Sequence, residues 1–82
     1  MTRVTLYTKP GCHLCDDVAQ VIALVRRARQ FELEIRDIFD DEGDFQLYQH
    51  EIPVVKVNGA EIARHRMSAQ TLESALDAAD HS

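Results

Sequence analysis

The 82-residue sequence has no tryptophan, only two cysteines, two prolines and three glycines, and no excess of positive charge. Each shortage excludes something. With so little glycine and proline and no low-complexity run, the chain is neither collagen-like nor disordered. Nine Lys and Arg against fourteen Asp and Glu give a formal charge of −5, so the basic stripe of a nucleic-acid-binding domain is missing. Arg26, Arg27 and Arg29 do cluster, but Glu32 and Glu34 follow closely, and the group reads as a solvated helix end. The longest uncharged apolar stretch, Val18 to Val25, is far short of the roughly 20 residues that span a bilayer. Met1-Thr2-Arg3-Val4 leads straight into a strand pattern without the apolar stretch of a signal peptide, which predicts a cytoplasmic protein.

What is present fits one small domain over residues 1–82. Val4 and Leu6 alternate with Arg3, Thr5 and Tyr7, a strand over about 3–7, and Lys9-Pro10-Gly11 then breaks the chain. From His13 to Arg29, Leu14, Val18, Val21, Ile22 and Val25 recur on one helical face. Asp16 and Asp17 near the start of that helix, and arginines at its end, suit the helix dipole. Phe31, Leu33 and Ile35 alternate with Glu32, Glu34 and Arg36 in a second strand, so the first half is a βαβ unit with parallel strands. An acidic loop over 40–44 precedes a short helix over 45–49, with Phe45 and Tyr48 facing the core. Asn58-Gly59 between two apolar runs predicts a hairpin with a type I′ turn. Ser68 is placed to cap a last helix whose apolar face is Leu72, Ala75, Leu76 and Ala79. The order is βαβαββα, an α/β fold.

Both cysteines fall in one C-x-x-C, where the first strand ends and the long helix begins. In a reducing compartment a permanent disulfide is not expected, so the pair is redox-active or metal-binding. A structural staple gains little here. Disulfide stabilisation rises with loop length, to roughly 3 kcal/mol near fifteen residues, and this loop is four residues long. Unpaired backbone N–H groups at a helix start favour a thiolate, the species that attacks a disulfide. Cys12 is therefore the candidate nucleophile, and Cys15, three residues on, lies on the same helical face and within reach of a mixed disulfide. Lys9 and His13 stand close enough in sequence to support the thiolate or an anionic substrate group, and each reads equally well as solvent-exposed. Zinc is the competing chemistry, with His13, His50, His65 and His81 as the available ligands. His50 and His65 are too far apart for a paired-histidine motif, no second C-x-x-C exists, and His13 sits between the cysteines, so no metal site is expected.

The run Leu6-Tyr7-Thr8-Lys9-Pro10-Gly11-Cys12-His13-Leu14-Cys15, then Glu51-Ile52-Pro53-Val54-Val55, then Asn58-Gly59-Ala60-Glu61-Ile62 resembles the glutaredoxin-like branch of the thioredoxin superfamily. The likeness covers nearly the whole chain and is closest to short bacterial glutaredoxin-like proteins with a Cys-His-Leu-Cys centre. It implies a thioredoxin-like four-stranded mixed sheet of order 2-1-3-4. It also implies a nucleophilic Cys12, a resolving Cys15, and a cis Pro53 beside the sulfurs, with the Ile52 backbone offering hydrogen bonds to substrate. The implied activity is thiol–disulfide exchange on a disulfide-bearing protein or a glutathione adduct. A thiol or dithiol serves as reductant, with no resident cofactor and with glutathione as a co-substrate at most. The chain is expected to be a monomer without nucleic-acid or membrane partners. Where glutathione-binding relatives carry Gly-Gly and acidic residues after the hairpin, this chain has Ala63-Arg64-His65-Arg66, so a carboxylate site would have to be rebuilt around Arg64 and Arg66. The alternatives are a metal- or cluster-linked carrier that borrows ligands from a partner, and a binding module that kept the fold without turnover.

Overall fold

A computed structural model describes residues 1–80, so His81 lies outside the described residues. Strand β1 (Arg3–Thr8) leads to helix α1 (His13–Arg26) and strand β2 (Glu32–Asp37). A single 3₁₀ turn (Ile38–Asp40) and helix α2 (Glu42–Tyr48) follow, then strands β3 (Val54–Val57) and β4 (Ala60–Arg64) and helix α3 (Ala69–Asp80). The sheet order is β2-β1-β3-β4, as the resemblance implied. β2 runs parallel to β1 with Val4 opposite Leu33, and β3 runs antiparallel to β1 with Val4 opposite Val57. The β3–β4 hairpin turns at Asn58 and Gly59, both at positive φ (50° and 85°), the pair of values a type I′ turn requires.

One face of the sheet carries the main core. Val4 and Leu6 of β1 and Val55 and Val57 of β3 pack against Val18, Ile22 and Val25 of α1 and Leu72 and Leu76 of α3. Ser68 caps α3, its Oγ accepting the Thr71 N–H at 3.1 Å. The other face is covered as well: Thr5 and Tyr7, which alternate with Val4 and Leu6 along β1, are both buried. β1 is an interior strand, and α2 and the 3₁₀ turn close its second face, with Ile38, Phe45 and Tyr48 packed there.

Two boundaries moved, each for a local reason, and one residue changed faces. α1 ends at Arg26 rather than Arg29, and 27–29 form a turn in which the Ala28 and Arg29 N–H groups both donate to the Val25 carbonyl. α2 starts at Glu42 because Asp41 caps it, its carboxylate accepting the Asp44 N–H at 2.9 Å. Leu14, assigned to the inner face of α1, is turned outward, and Cys15 takes the buried position. Among the described residues no helix is long and apolar enough to cross a membrane.

Candidate functional site

The chain leaves β1 through Lys9 and Pro10 and reverses at Gly11, whose φ of +75° only glycine adopts without strain. That turn delivers Cys12 to the N-cap of α1 in an extended conformation (φ −96°, ψ 106°). The Cys12 sulfur acts as the capping acceptor, taking the Cys15 backbone N–H at 3.2 Å, while the Cys12 carbonyl accepts the Asp16 N–H at 3.1 Å. A sulfur therefore occupies the place usually filled by a Ser, Thr or Asp oxygen. Cys12 and Cys15 are joined as a disulfide with their Cα atoms 5.2 Å apart, within the ordinary range for such a bridge. The two halves differ in exposure: Cys15 is 1% exposed, and Cys12 is half-buried.

Cys15 sits in a second, smaller core with Tyr7, Ile38, Ile52 and Val54, and Cys12, Phe45 and Tyr48 pack against it. The Ile52–Pro53 peptide is cis, as the resemblance implied. Ile52 differs from expectation in one respect. Its N–H is already spent on the Tyr48 carbonyl (3.1 Å), where it closes the end of α2, so only its carbonyl is left to offer a substrate peptide. The Pro53 carbonyl is also engaged, accepting the His65 N–H at 2.7 Å. His65 makes this contact from a left-handed backbone (φ 69°), a conformation uncommon for a residue other than glycine.

The other predicted residues fall on the rim. Lys9 and His13 are exposed, His13 as the first residue of α1. Arg64 is exposed but not free. Its Nε and Nη2 donate to the two Glu61 carboxylate oxygens at 2.7 Å each, and its Nη1 donates to Glu51 at 3.1 Å. The Glu61 partnership raises the Arg64 pKa still further and lowers that of the Glu61 carboxyl. Glu51 also meets His65 Nε2 at 3.4 Å, so this acid–base cluster ties the segment before Pro53 to the end of β4. Arg64 therefore reaches the site through Glu51 rather than facing it as an open anion receptor. A shallow cleft of about 190 Å³ lies alongside, between Leu14, Val18 and Val21 of α1 and His65, Arg66 and Met67. Among the described residues no group of three or more His, Cys, Asp or Glu side chains could hold a metal.

One feature near the site was missed in the sequence. The Tyr7 and Tyr48 rings lie 4.5 Å apart, and the Lys56 ammonium stands 5.3 Å from each ring centre. The Arg36 guanidinium lies 5.8 Å from the Tyr7 ring on the same side of the sheet. Hydrogen bonding to Tyr48 raises the Lys56 pKa, opposed by partial burial. Tyr7 and Lys56 come from adjacent strands and Tyr48 from α2, so only the period-2 alternation of β1 and β3 hinted that they share a face.

Several solved structures have a similar shape. Protein XcR50 from X. campestris is 32% identical, covering 92% of this chain and 96% of its own with a TM-score of 0.75. A mutant thioredoxin from Halobacterium salinarum matches at 10% identity over 94% of this chain and 73% of its own, TM-score 0.71. Glutaredoxin 1 from Francisella tularensis, in complex with cacodylate, matches at 16% identity over 100% of both chains, TM-score 0.51. At those identities the last two speak for the fold alone, which is thioredoxin-like. Residues 3–77 match the family described as Glutaredoxin-like domain (DUF836), and with a redox-capable cysteine pair at the start of α1 the chain belongs to that glutaredoxin-like family.

Proposed function

We propose that the chain is a thiol–disulfide oxidoreductase that reduces disulfides of proteins, or mixed disulfides, through Cys12 and Cys15. In the reduced protein the Cys12 thiolate attacks one sulfur of the substrate disulfide, forming a mixed disulfide and expelling the other substrate sulfur as a thiolate. The Cys15 sulfur, having lost its proton to solvent or to the departing thiolate, then attacks Cys12. It releases the second substrate thiol and leaves the Cys12–Cys15 disulfide seen in the structure. A thiol or dithiol donor supplies two electrons to restore the pair. The observation that carries this reading is the placing of the two sulfurs: Cys12 caps α1 and faces solvent in part, while Cys15 is sealed behind it. Backbone N–H groups at the helix start favour negative charge on the first sulfur, and burial keeps outside disulfides from the second.

Substrate contacts are assigned to Lys9 and His13 on the rim and to the Ile52 carbonyl beside cis Pro53. The reading takes the chain as a cytoplasmic monomer that prefers protein dithiols to glutathione as donor. Two features support that preference: Arg64 is neutralised by Glu61 and Glu51, and Ala63-Arg64 puts side chains where a close backbone approach would need a Gly-Gly turn. The test is differential alkylation of the reduced protein near neutral pH, paired with insulin reduction using a dithiol or glutathione at matched driving force. Cys12 is expected to label well ahead of Cys15, and the dithiol to be the better donor. Equal labelling, or no insulin reduction by the reduced protein, would overturn the assignment.

A further inference from the structure

Along the middle and far half of α1, about 6–12 Å beyond Cys15 along the helix axis, the molecule has an open apolar trough. It encloses about 440 Å³ between Ala19 and Ala23 of α1 and Leu33 and Ile35 of β2, with Arg26 and Arg27 at its rim. Three properties set it apart from ordinary surface. β2 has a strand on one side only, so its outer edge presents backbone N–H and C=O groups without sheet partners. Ile35 is 58% exposed in a strand whose alternation placed it with the core residues, because the two alanines facing it are too short to cover it. The rim arginines also lack acidic partners in an acidic protein. Among the described residues Arg3, Arg29, Arg36 and Arg64 each pair with a carboxylate, whereas Arg27, like Arg66 elsewhere, has none, and Arg26 lies over the Phe31 ring at 5.8 Å.

We infer that this face docks an extended segment of a partner protein that adds to β2 as a further strand. On the side of the segment facing α1, alternate residues are aliphatic and then acidic. The aliphatic side chains fill the trough over Ala19, Ala23 and Ile35, the carboxylates meet Arg26 and Arg27, and the β2 edge supplies the main-chain hydrogen bonds. A second copy of the chain fits less well. Its own edge strand would bring Leu33 and Ile35 to the trough, but Glu32 and Glu34 are engaged with Arg3 and with Thr5 and Arg36, so no carboxylate would reach the arginines. The surface includes neither cysteine and holds or fails independently of the redox reading.

The experiment is an amide NMR titration of the full chain with a short acetylated peptide that alternates threonine with valine and then with glutamate. A matched peptide carrying lysine in place of glutamate is the control. Shifts are expected at Ala19, Ala23, Leu33 and Ile35, with affinity that falls as salt rises and is roughly tenfold weaker in an Arg26→Ser, Arg27→Ser double variant. Ile35→Thr, at a position already exposed, provides a second variant that does not touch Phe31, and it is also expected to weaken binding. Disulfide reduction stays at the wild-type level in both. The inference is overturned if neither peptide binds, if the lysine peptide binds as well as the acidic one, or if the shifts centre on Cys12 and Pro53. Concentration-dependent dimerisation that Ile35→Thr abolishes would overturn it in favour of a second copy.

Discussion

The two cores on either side of the sheet are built to different specifications. The one under α1 and α3 is almost wholly aliphatic: Val4, Leu6, Ile22, Leu72 and their neighbours contribute no side-chain polar atom. The one under α2 is smaller and mixed. It contains Tyr7 and Cys15, has Tyr48 and Cys12 packed on its border, and ends at the Lys56 and Arg36 cations. The first supplies most of the apolar burial that holds a small domain together, and the second spends part of its volume on groups that react or hydrogen-bond. Chemistry and stability are therefore separable in this molecule, although both depend on β1.

The sharpest test of that separation is Cys12→Ser. Disulfide reduction should drop to background, because a serine hydroxyl is not a nucleophile toward sulfur, while the thermal midpoint of the reduced protein changes little since serine is itself a good helix cap. Loss of the fold together with activity in that variant would break the comparison. Leu72→Ala in the aliphatic core should do the reverse. It should lower stability by about 2–5 kcal/mol in denaturant unfolding, with unchanged reduction per folded molecule. A redox defect in the folded fraction of Leu72→Ala would show that the two cores are coupled.

Smaller effects are expected at the border of the mixed core. Tyr48→Phe removes the hydroxyl that raises the Lys56 pKa, so the ammonium should titrate at lower pH, as read from the lysine side-chain NMR signals. The sign for stability follows from the direction of the shift. A lysine whose pKa is raised on folding contributes stability that is complete below its ordinary pKa and is lost as pH climbs through the raised value, so the alkaline loss should be smaller, and complete at lower pH, in Tyr48→Phe. The effect on stability at neutral pH should stay within about 1.5 kcal/mol. The smallest effect belongs to Arg64→Met, which removes an exposed ion-pair cluster that solvent screens. The Glu61 carboxyl, held below its ordinary range by Arg64, contributes stability above that range which is lost as pH falls through the lowered value. Arg64→Met should therefore flatten the acid side of the stability curve while leaving glutathione-dependent rates unchanged. A fall in those rates would place a glutathione carboxylate on Arg64 instead.

Local signals carried most of the fold. The alternation of Val4 and Leu6, the apolar periodicity of α1, the Asn58-Gly59 turn and the Ser68 cap each act over a few residues and could be read one at a time. The start of α2 was readable too, since Asp41 followed by Asp44 is a capping pattern, but the surrounding acids made it look like a loop. What could not be read were the consequences of strand order for burial. Tyr7 is buried because β1 is interior, and Ile35 is exposed because β2 is an edge that only alanines of α1 face there, although both strands show the same alternation. The cysteine pair was plain from its spacing. The partners of Arg64 were not: Glu51 lies 13 positions away and meets it only once the hairpin has folded back.

The double duty of the Cys12 sulfur has a thermodynamic consequence. The atom that caps α1 is the same atom that gains and loses electrons, so the helix and the redox couple form one closed cycle of states. A thiolate is a stronger acceptor for the Cys15 N–H than a disulfide sulfur, so the start of α1 is held more firmly in the reduced protein. Any gain in folding free energy on reduction must reappear, equal in size, as a stronger pull for electrons. Substitutions that tighten the first turn around an anionic cap would therefore make the protein more oxidising, and those that loosen it more reducing, without touching either cysteine.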